Sequence, residues 1–305
     1  MSEPIHIACA SDDRYVAHTA AMLHSVRWHA PDAQLRVHFL SGPEPSSKPR
    51  AKLATMAREL RLELSWVDVP EALVSGLPAR DYLSRVVWYR VFMPELLPSL
   101  DRVLYLDSDV IALDSIAPLW TEPLDNDYFA AVTNVVPKHF AQRAELLGLP
   151  GAKEYFNLGV ALWNLKLMRE DRFTDSVLRY ARENLSKLLW LEQDAINALF
   201  WRRRRPLHPR WNCQNGIYFQ SWGAALLDPK EMQEALEAPA LLHFEGGTFV
   251  KPWHFLSTHP LRERYWFHRR YTPWPLAFPE GVTPKNLLKR YAPAPVLEWL
   301  RQALR

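Results

Sequence analysis

The sequence predicts an α/β protein built on a mainly parallel sheet. Three features of its N-terminal third carry that prediction: apolar runs of strand length, helical-period segments between them, and a further apolar run ending in two carboxylates. The first strands are expected at Ile5–Ala10, Gln34–Leu40 and Leu62–Val69. Between the first two, Tyr15, His18, Thr19, Met22, Leu23 and Val26 recur at helical spacing. Ser46-Ser-Lys-Pro49 opens a second helix ahead of Leu53, Met56, Ala57 and Leu60. A βαβαβ order of this kind favours a parallel sheet covered by helices.

A further helix is expected over Ser84–Leu97, with Val87, Val91 and Leu96 among its apolar positions, feeding the run Arg102–Leu106. That run reads as a central strand buried on both faces. Strands at Phe129–Thr133 and Phe156–Trp163 follow, then helices near Leu165–Glu183 and Glu192–Phe200. From about residue 255 prolines and aromatics become dense, including Trp266, Pro273, Trp274, Pro275, Pro279, Pro284, Pro293 and Pro295. A domain over 1–255 with an appendage over 256–305 is expected.

Composition narrows the function classes. A chain of 305 residues that is 48% hydrophobic can bury a large core and is not disordered. Two cysteines, Cys9 and Cys213, make neither a disulfide framework nor a structural zinc site, which suits a reducing compartment. No basic start followed by a long apolar region is seen. The longest apolar stretches, such as Phe156–Leu165, fall short of the roughly 18 to 20 residues that cross a bilayer. A cytoplasmic protein is expected, with any membrane contact peripheral. Net charge is +3, but residues 262–305 hold nine Arg or Lys against three Glu, so the tail is +6 and the rest −3.

The most informative segment is Arg102-Val-Leu-Tyr-Leu-Asp107-Ser108-Asp109. In extended backbone, carboxylates at i and i+2 emerge on one side, and two held together repel unless something positive lies between them. At the carboxyl end of a strand in an open α/β sheet, where ligands bind, the pair suits a hard divalent cation bridging a diphosphate. A solvated turn or helix cap also accounts for many Asp-x-Asp occurrences.

Six ordered blocks then carry a resemblance: Ala10-Ser-Asp-Asp-Arg-Tyr15, Val103–Asp109, Tyr155-Phe-Asn-Leu-Gly-Val160, Asn164-Leu-Lys166, Glu192-Gln-Asp194, and His243 through Lys251-Pro-Trp-His254. Over residues 4–256 the chain resembles family 8 of the retaining glycosyltransferases, in particular its bacterial lipooligosaccharide galactosyltransferase-like members. The resemblance implies a GT-A fold, a single Rossmann-like nucleotide-binding domain with a mixed, mainly parallel sheet. It also implies a UDP-hexose donor, an acceptor hydroxyl on a glycan or glycolipid, and Mn²⁺, with Mg²⁺ also able to serve, on Asp107, Asp109 and His243.

The resemblance further implies that Ala10, Asp12 and Tyr15 receive the uridine, with Arg14 standing where relatives have Asn. Arg90 and Asp81–Ser84 are expected near the donor, as are Ser108 between the two aspartates and Gly246 beside the phosphates. Lys251 would sit on the diphosphate, and Asn157, Glu192, Gln193 and Asp194 would face the donor sugar. Retention with an amide, Gln193, opposite the leaving group favours a front-face reaction over a covalent intermediate, since a carboxylate would be the expected nucleophile.

Taken singly, His243 also reads as an ordinary strand-end histidine, Lys251 as a solvated lysine, Asp12-Asp13 as a helix cap, and Glu192-Gln-Asp as an acidic helix start. The basic, aromatic tail suits either an anionic membrane surface or packing on the main domain. No nucleic-acid module accompanies Arg202–Arg205. A nucleotidyltransferase and a non-catalytic nucleotide-sugar-binding protein are the alternatives.

Overall fold

The computed structural model describes residues 3–80, 84–136, 138–140, 142–219, 226–275 and 278–292. Of the residues singled out above, Asp81, Tyr82, Leu83, Pro293 and Pro295 lie outside the described residues, as do Arg301 and Arg305 of the basic tail.

The strands are β1 (Ile5–Ala10), β2 (Leu35–Ser41), β3 (Glu63–Asp68), β4 (Arg102–Leu106), β5 (Val110–Ala112), β6 (Phe129–Thr133), β7 (Phe156–Asn164), β8 (Arg204–Pro206), β9 (Cys213–Gln214) and β10 (Leu241–His243). Seven form one sheet in the order β3-β2-β1-β4-β7-β6-β8, in which β7 alone runs antiparallel to its neighbours. The chain builds outward from β1 to β3, then returns to the other side of β1 as β4. That reversal opens a crevice at the strands' carboxyl ends. A small second sheet, β5-β10-β9, follows directly from the Asp-x-Asp segment.

Strand alternation divides the core between the two faces. Ile5, Ile7, Cys9, Leu104 and Leu106 enter one cluster, and Ala8, Ala10, Val103 and Tyr105 enter the other. The apolar run before Asp107 therefore has no solvated face, which is why it lacks a polar alternation. Each large side chain so buried contributes roughly 1.5 to 3 kcal/mol. Cys9 and Cys213 are both buried and free.

Helices α1 (Val16–His29) and α2 (Ser47–Glu59) fall where the periodicity puts them. Two expected helices differ. Ser84–Leu97 is a 3-10 helix over Arg85–Phe92 followed by one α-turn, Met93–Leu96. Pro94 explains the break, because it has no N–H for the Arg90 carbonyl and its ring crowds that carbonyl. Leu165–Glu183 is two helices, Leu165–Glu170 and Phe173–Glu183, separated by Arg172 at φ 53°. Asp171 is drawn out of line there by the Tyr128 hydroxyl at 2.5 Å and by Arg203 at 3.1 Å. The helix Pro229–Glu237 was not anticipated, although Asp228 caps it by accepting from the Lys230 and Glu231 amides.

After residue 255 the helix Arg262–Arg269 packs on α1, and its Tyr265 shares a cluster with Ala21, Ile111 and Trp253. Part of the tail's aromatic content is thus core. The helix Pro284–Tyr291 is exposed.

Candidate active site

A cleft of ≈ 590 Å³ lies at the carboxyl ends of β1 and β4 and the start of the antiparallel β7. Asp107 follows β4, Asp109 precedes β5, and His243 ends β10, which pairs with β5. His243 Nε2 lies 3.3 Å from Asp109 Oδ1 and 3.8 Å from Asp107 Oδ2. One ligand atom from each of the three residues lies within 4.8 Å of the others. Neighbouring ligands of an octahedral ion with Mg²⁺-type bonds are about 3 Å apart, so two oxygens and a nitrogen at these separations fit a hard divalent cation. Gly159 makes the room: a Cβ there would fall 2.3 Å from the His243 ring and 2.5 Å from Asp107 Oδ2.

A chain of amides sets the polarity behind the histidine. The Gly159 N–H donates to Asn157 Oδ1 at 2.9 Å, so that atom is the acceptor. Asn212 Nδ2 donates to the same oxygen, and Asn157 Nδ2 donates to Asn134 Oδ1. Asn212 Oδ1 therefore accepts from His243 Nδ1–H at 2.9 Å, leaving Nε2 as the ring nitrogen open to a cation. Ser108 turns away from the carboxylates, donating to the Ala10 carbonyl and accepting from Thr19.

Within the protein the negative charge is met by a lysine and the histidine itself. Lys251 Nζ bonds Asp109 Oδ2 and donates to the Phe244 carbonyl at 2.9 Å. Burial opposes the charge on Asp109, yet Lys251 and His243 outweigh it and hold the carboxyl below its ordinary range. Burial likewise works against protonated His243 and Lys251, and Asp109 raises both. Lys251 thus rests on a carboxylate rather than at a free phosphate position.

At the other end of the cleft, Arg90 is buried over the Tyr105 ring and donates to the Leu158 carbonyl at 2.9 Å. Its Nη2 lies 3.4 Å from Asp107 and 3.3 Å from Glu192, joining the two ends. Glu192 lines the cleft, and its Oε2 is buried without a hydrogen-bond partner among the described residues. Burial, only partly offset by Arg90, pushes this carboxyl up to about 7. Asp194 is the opposite case. Its two oxygens accept from Arg143, from the Leu189 and Trp190 amides at 2.6 and 2.8 Å, and from the Tyr155 hydroxyl at 2.7 Å. Gln193 lines the cleft between them; its Oε1 accepts from the Leu158 amide and its Nε2 donates to Tyr155.

The profile of Glycosyl transferase family 8 matches residues 6–257, most of the chain. The chain belongs to that family. Its relatives include general stress protein A of Bacillus subtilis (strain 168), 27% identical over 89% of this chain and 95% of that one. They also include the lipopolysaccharide 1,2-glucosyltransferase of Escherichia coli (strain K12), 26% identical over 73% of this chain and 65% of that one. Among solved structures the galactosyltransferase LgtC, crystallised with donor and acceptor sugar analogues, superposes with a TM-score of 0.79 at 26% identity, covering 90% and 98% of the two chains. The fold is GT-A, and the protein is a glycosyltransferase.

In this family 8 glycosyltransferase the cleft gathers Ala10, Asp12, Tyr15, Arg90, Asp107, Ser108, Asp109, Asn157, Glu192, Gln193, His243, Gly246 and Lys251, all expected there, together with Ser84. Asp12 is more occupied than expected. Its Oδ1 accepts from the Arg14 and Tyr15 amides, and its Oδ2 pairs with the Arg14 guanidinium at 2.8 Å, so it closes the turn that leads into α1 and clamps Arg14 at once. Asp13 instead reaches across to Ser46, at the start of α2. Gly246 adopts φ 91°, a backbone that favours glycine. Asn134, Asn212 and Gly159 escaped sequence reasoning. Only Gly159 left a trace, inside the Asn157-Leu-Gly159 block.

Proposed function

We propose that this glycosyltransferase moves a hexose, galactose or glucose, from a UDP-sugar to a hydroxyl of a lipopolysaccharide-type surface glycan, with retention of configuration and with Mn²⁺ on Asp107, Asp109 and His243. The observation that carries the reading is the three-donor set beside a cleft that also holds a buried lysine and an unpartnered buried carboxyl oxygen. The lipopolysaccharide glucosyltransferase and the galactosyltransferase LgtC support the hexose and acceptor class.

In this reading Tyr15 packs the base and the Asp12–Arg14 pair borders it. When bound, the cation supplies Lewis-acid stabilisation of the departing diphosphate. Lys251 exchanges Asp109 for a phosphate oxygen when donor binds, adding charge where the leaving group develops it. Arg90 bridges Asp107 and Glu192 and relieves the repulsion between them. Glu192 Oε2 gains a donor-sugar hydroxyl as partner, and a carboxyl titrating near neutrality can either donate or accept that bond.

The transfer itself breaks the bond between the anomeric carbon and the β-phosphate oxygen and forms one to the acceptor oxygen. The acceptor proton passes to the departing UDP oxygen on the same face. Gln193 lies beside the reacting centre and stabilises its positive charge as a dipole. Asp194 cannot take the sugar covalently while its oxygens hold Arg143, Tyr155 and two amides.

The test is UDP release from UDP-galactose and UDP-glucose with Mn²⁺ or EDTA. Manganese-dependent turnover of one donor, with an α-linked product from the α-linked donor, is expected. An inverted product, or a sugar trapped on Glu192 or Asp194, overturns the front-face assignment. Nucleotide binding without turnover would leave a binding protein, and nucleotidyl exchange would replace the class.

A second reading, peripheral attachment of a cytoplasmic protein to an anionic membrane, is favoured by one patch. Phe249, Phe278, Val282, Leu287, Leu288 and Tyr291 are exposed beside Lys285, Lys289 and Arg290, whereas the basic helix Arg262–Arg269 buries Tyr265, His268 and Arg269. Each well-placed basic residue contributes about 1 kcal/mol at such a surface. No helix among the described residues is long and apolar enough to cross a membrane. Co-sedimentation with anionic vesicles, lost when Lys285, Lys289 and Arg290 are changed to Glu, tests it.

A further inference from the structure

The polypeptide around residue 280 is stitched to the back of the cleft. The Glu280 amide donates to the Trp253 carbonyl at 2.8 Å, and its carbonyl accepts from the Phe255 amide at 2.8 Å. The next residue, Gly281, sits at φ 73° with His254 Nε2 only 2.1 Å from where a Cβ would be, so the chain turns there on a glycine. Beyond it Asn286 donates to the Gly281 carbonyl at 2.8 Å and Arg290 bonds the Phe255 carbonyl. The strand-like segment and its helix thus strap the Lys251-Pro-Trp-His loop.

Side chains continue the connection inward. Trp253 is buried and stacks on His18 with centroids 3.6 Å apart, while its ring meets Tyr15 edge-on at 5.8 Å and lies 5.8 Å from Lys251 Nζ. His18 Nδ1 is 2.7 Å from the Tyr265 hydroxyl, and Nε2 faces Glu280 Oε1 at 3.6 Å. Burial keeps this imidazole neutral, so it carries one N–H. A carboxylate opposite Nε2 draws that N–H, which makes the Tyr265 hydroxyl the donor to Nδ1. Glu280 is held below the usual carboxyl range first by His18, with the Trp253 N–H adding to it.

We propose that Glu280 and His18 are a positioning pair for the donor site, holding Trp253 so that Tyr15 and Lys251 keep their places at the nucleotide end of the cleft. The proposal rests on the UDP-sugar reading of that cleft. The Glu280 side chain is 56% exposed, and a carboxylate so placed adds little to global stability. The side chains it touches, His18 and Trp253, both meet Tyr15 at the cleft wall. Its removal is therefore expected to appear in nucleotide binding, not in the melting temperature.

The experiment uses the full chain and UDP with Mn²⁺ as the calorimetric probe, beside steady-state kinetics on UDP-galactose and UDP-glucose. Glu280→Ala is expected to weaken UDP binding and raise donor KM by about fivefold, the equivalent of ~1 kcal/mol, with kcat kept within about twofold. Glu280→Gln, which retains an acceptor oxygen for His18, returns both values toward wild type. Glu263→Gln, exposed on the neighbouring helix, matches wild type throughout. Unchanged Kd and KM in Glu280→Ala overturn the proposal, as does a fall in melting temperature with binding intact. Failure of the underlying reading looks different: wild type itself then binds no UDP and turns over neither donor, and the pair loses its assignment with it.

Discussion

Two pairs of carboxylates at i and i+2, Asp107 with Asp109 and Glu192 with Asp194, behave differently: the first pair and Glu192 line the cleft, and Asp194 does not. Asp107 and Asp109, two residues apart at a strand end, both offer oxygens to one point shared with His243. Glu192 and Asp194 are spaced identically, yet Asp194 is saturated by Arg143, Tyr155 and two amides while Glu192 keeps one oxygen without a partner. Asp107 and Asp109 do not continue β4 in the extended backbone expected from the sequence. They sit in the turn between β4 and β5 that the Val110 amide closes on the Asp107 carbonyl at 3.3 Å, and the turn brings both carboxylates to His243. Glu192 and Asp194 instead stand in the first turn of a helix, where i and i+2 diverge. Equal spacing of equal chemistry therefore gives a joint site in one case. In the other it gives one carboxyl that faces the cleft with an unpartnered oxygen and one whose oxygens are consumed inside the fold.

The largest effect that would sharpen this contrast is at the strand end. Asp109→Ala is expected to reduce manganese-dependent UDP release by ~10³-fold or more, because a lost metal ligand forfeits several kcal/mol of leaving-group stabilisation. Turnover surviving in EDTA and in this variant would break the comparison outright.

Asp194→Asn comes next and is expected to act on folding. Replacing the buried partner of Arg143 with a neutral group costs ~3 kcal/mol in denaturant unfolding, with little change in metal dependence. Glu192→Gln should do the reverse. The folded state binds the Glu192 proton more tightly than the unfolded chain, so wild type is favoured at low pH and loses stability as pH rises from the ordinary carboxyl range toward about 7. Relative to Glu192→Gln that loss reaches at most ~3 kcal/mol and is flat at higher pH. Parallel unfolding curves of the two proteins between acid and neutral pH would contradict the burial argument.

In catalysis Glu192→Gln is expected to lower kcat/KM about 30-fold, the loss of one charged or charge-tuned hydrogen bond to the donor sugar. The smallest effect belongs to the cleft mouth. Arg14→Asn frees Asp12 Oδ2 from an exposed ion pair and should change UDP affinity by no more than about threefold, read by calorimetry. A larger change would make Arg14 a principal nucleotide contact.

Much of this was legible in the residues. The chain order of the first four strands, the two-faced burial of Arg102–Leu106 and five of the six blocks at the cleft follow from periodicities and motifs that are local. The sixth block, Asn164-Leu-Lys166, does not line the cleft, and its Asn164 caps the helix Leu165–Glu170. The helix breaks at Pro94 and Arg172 were less so: the first depends on one missing N–H, the second on Tyr128 and Arg203 reaching Asp171. Short strands such as Cys213–Gln214 and Leu241–His243 carry too few residues for a period to show.

By itself, then, the sequence determined the α/β class, the placement of Asp107 and Asp109 together on a strand end, and the family to which the blocks belong. Tertiary structure alone decided which nitrogen of His243 faces the carboxylates, because Asn212 and the Asn157–Gly159 stretch of β7 lie far from His243 and from each other along the chain. It also decided that Asp194 is spent, that Lys251 rests on Asp109, and that Glu280 stands against His18 behind the Tyr15 side of the cleft. The physical reason is the same throughout. Backbone periodicity is encoded over a few neighbours, while the partner of a buried polar atom is whatever distant residue the fold brings within 3 Å or so of it.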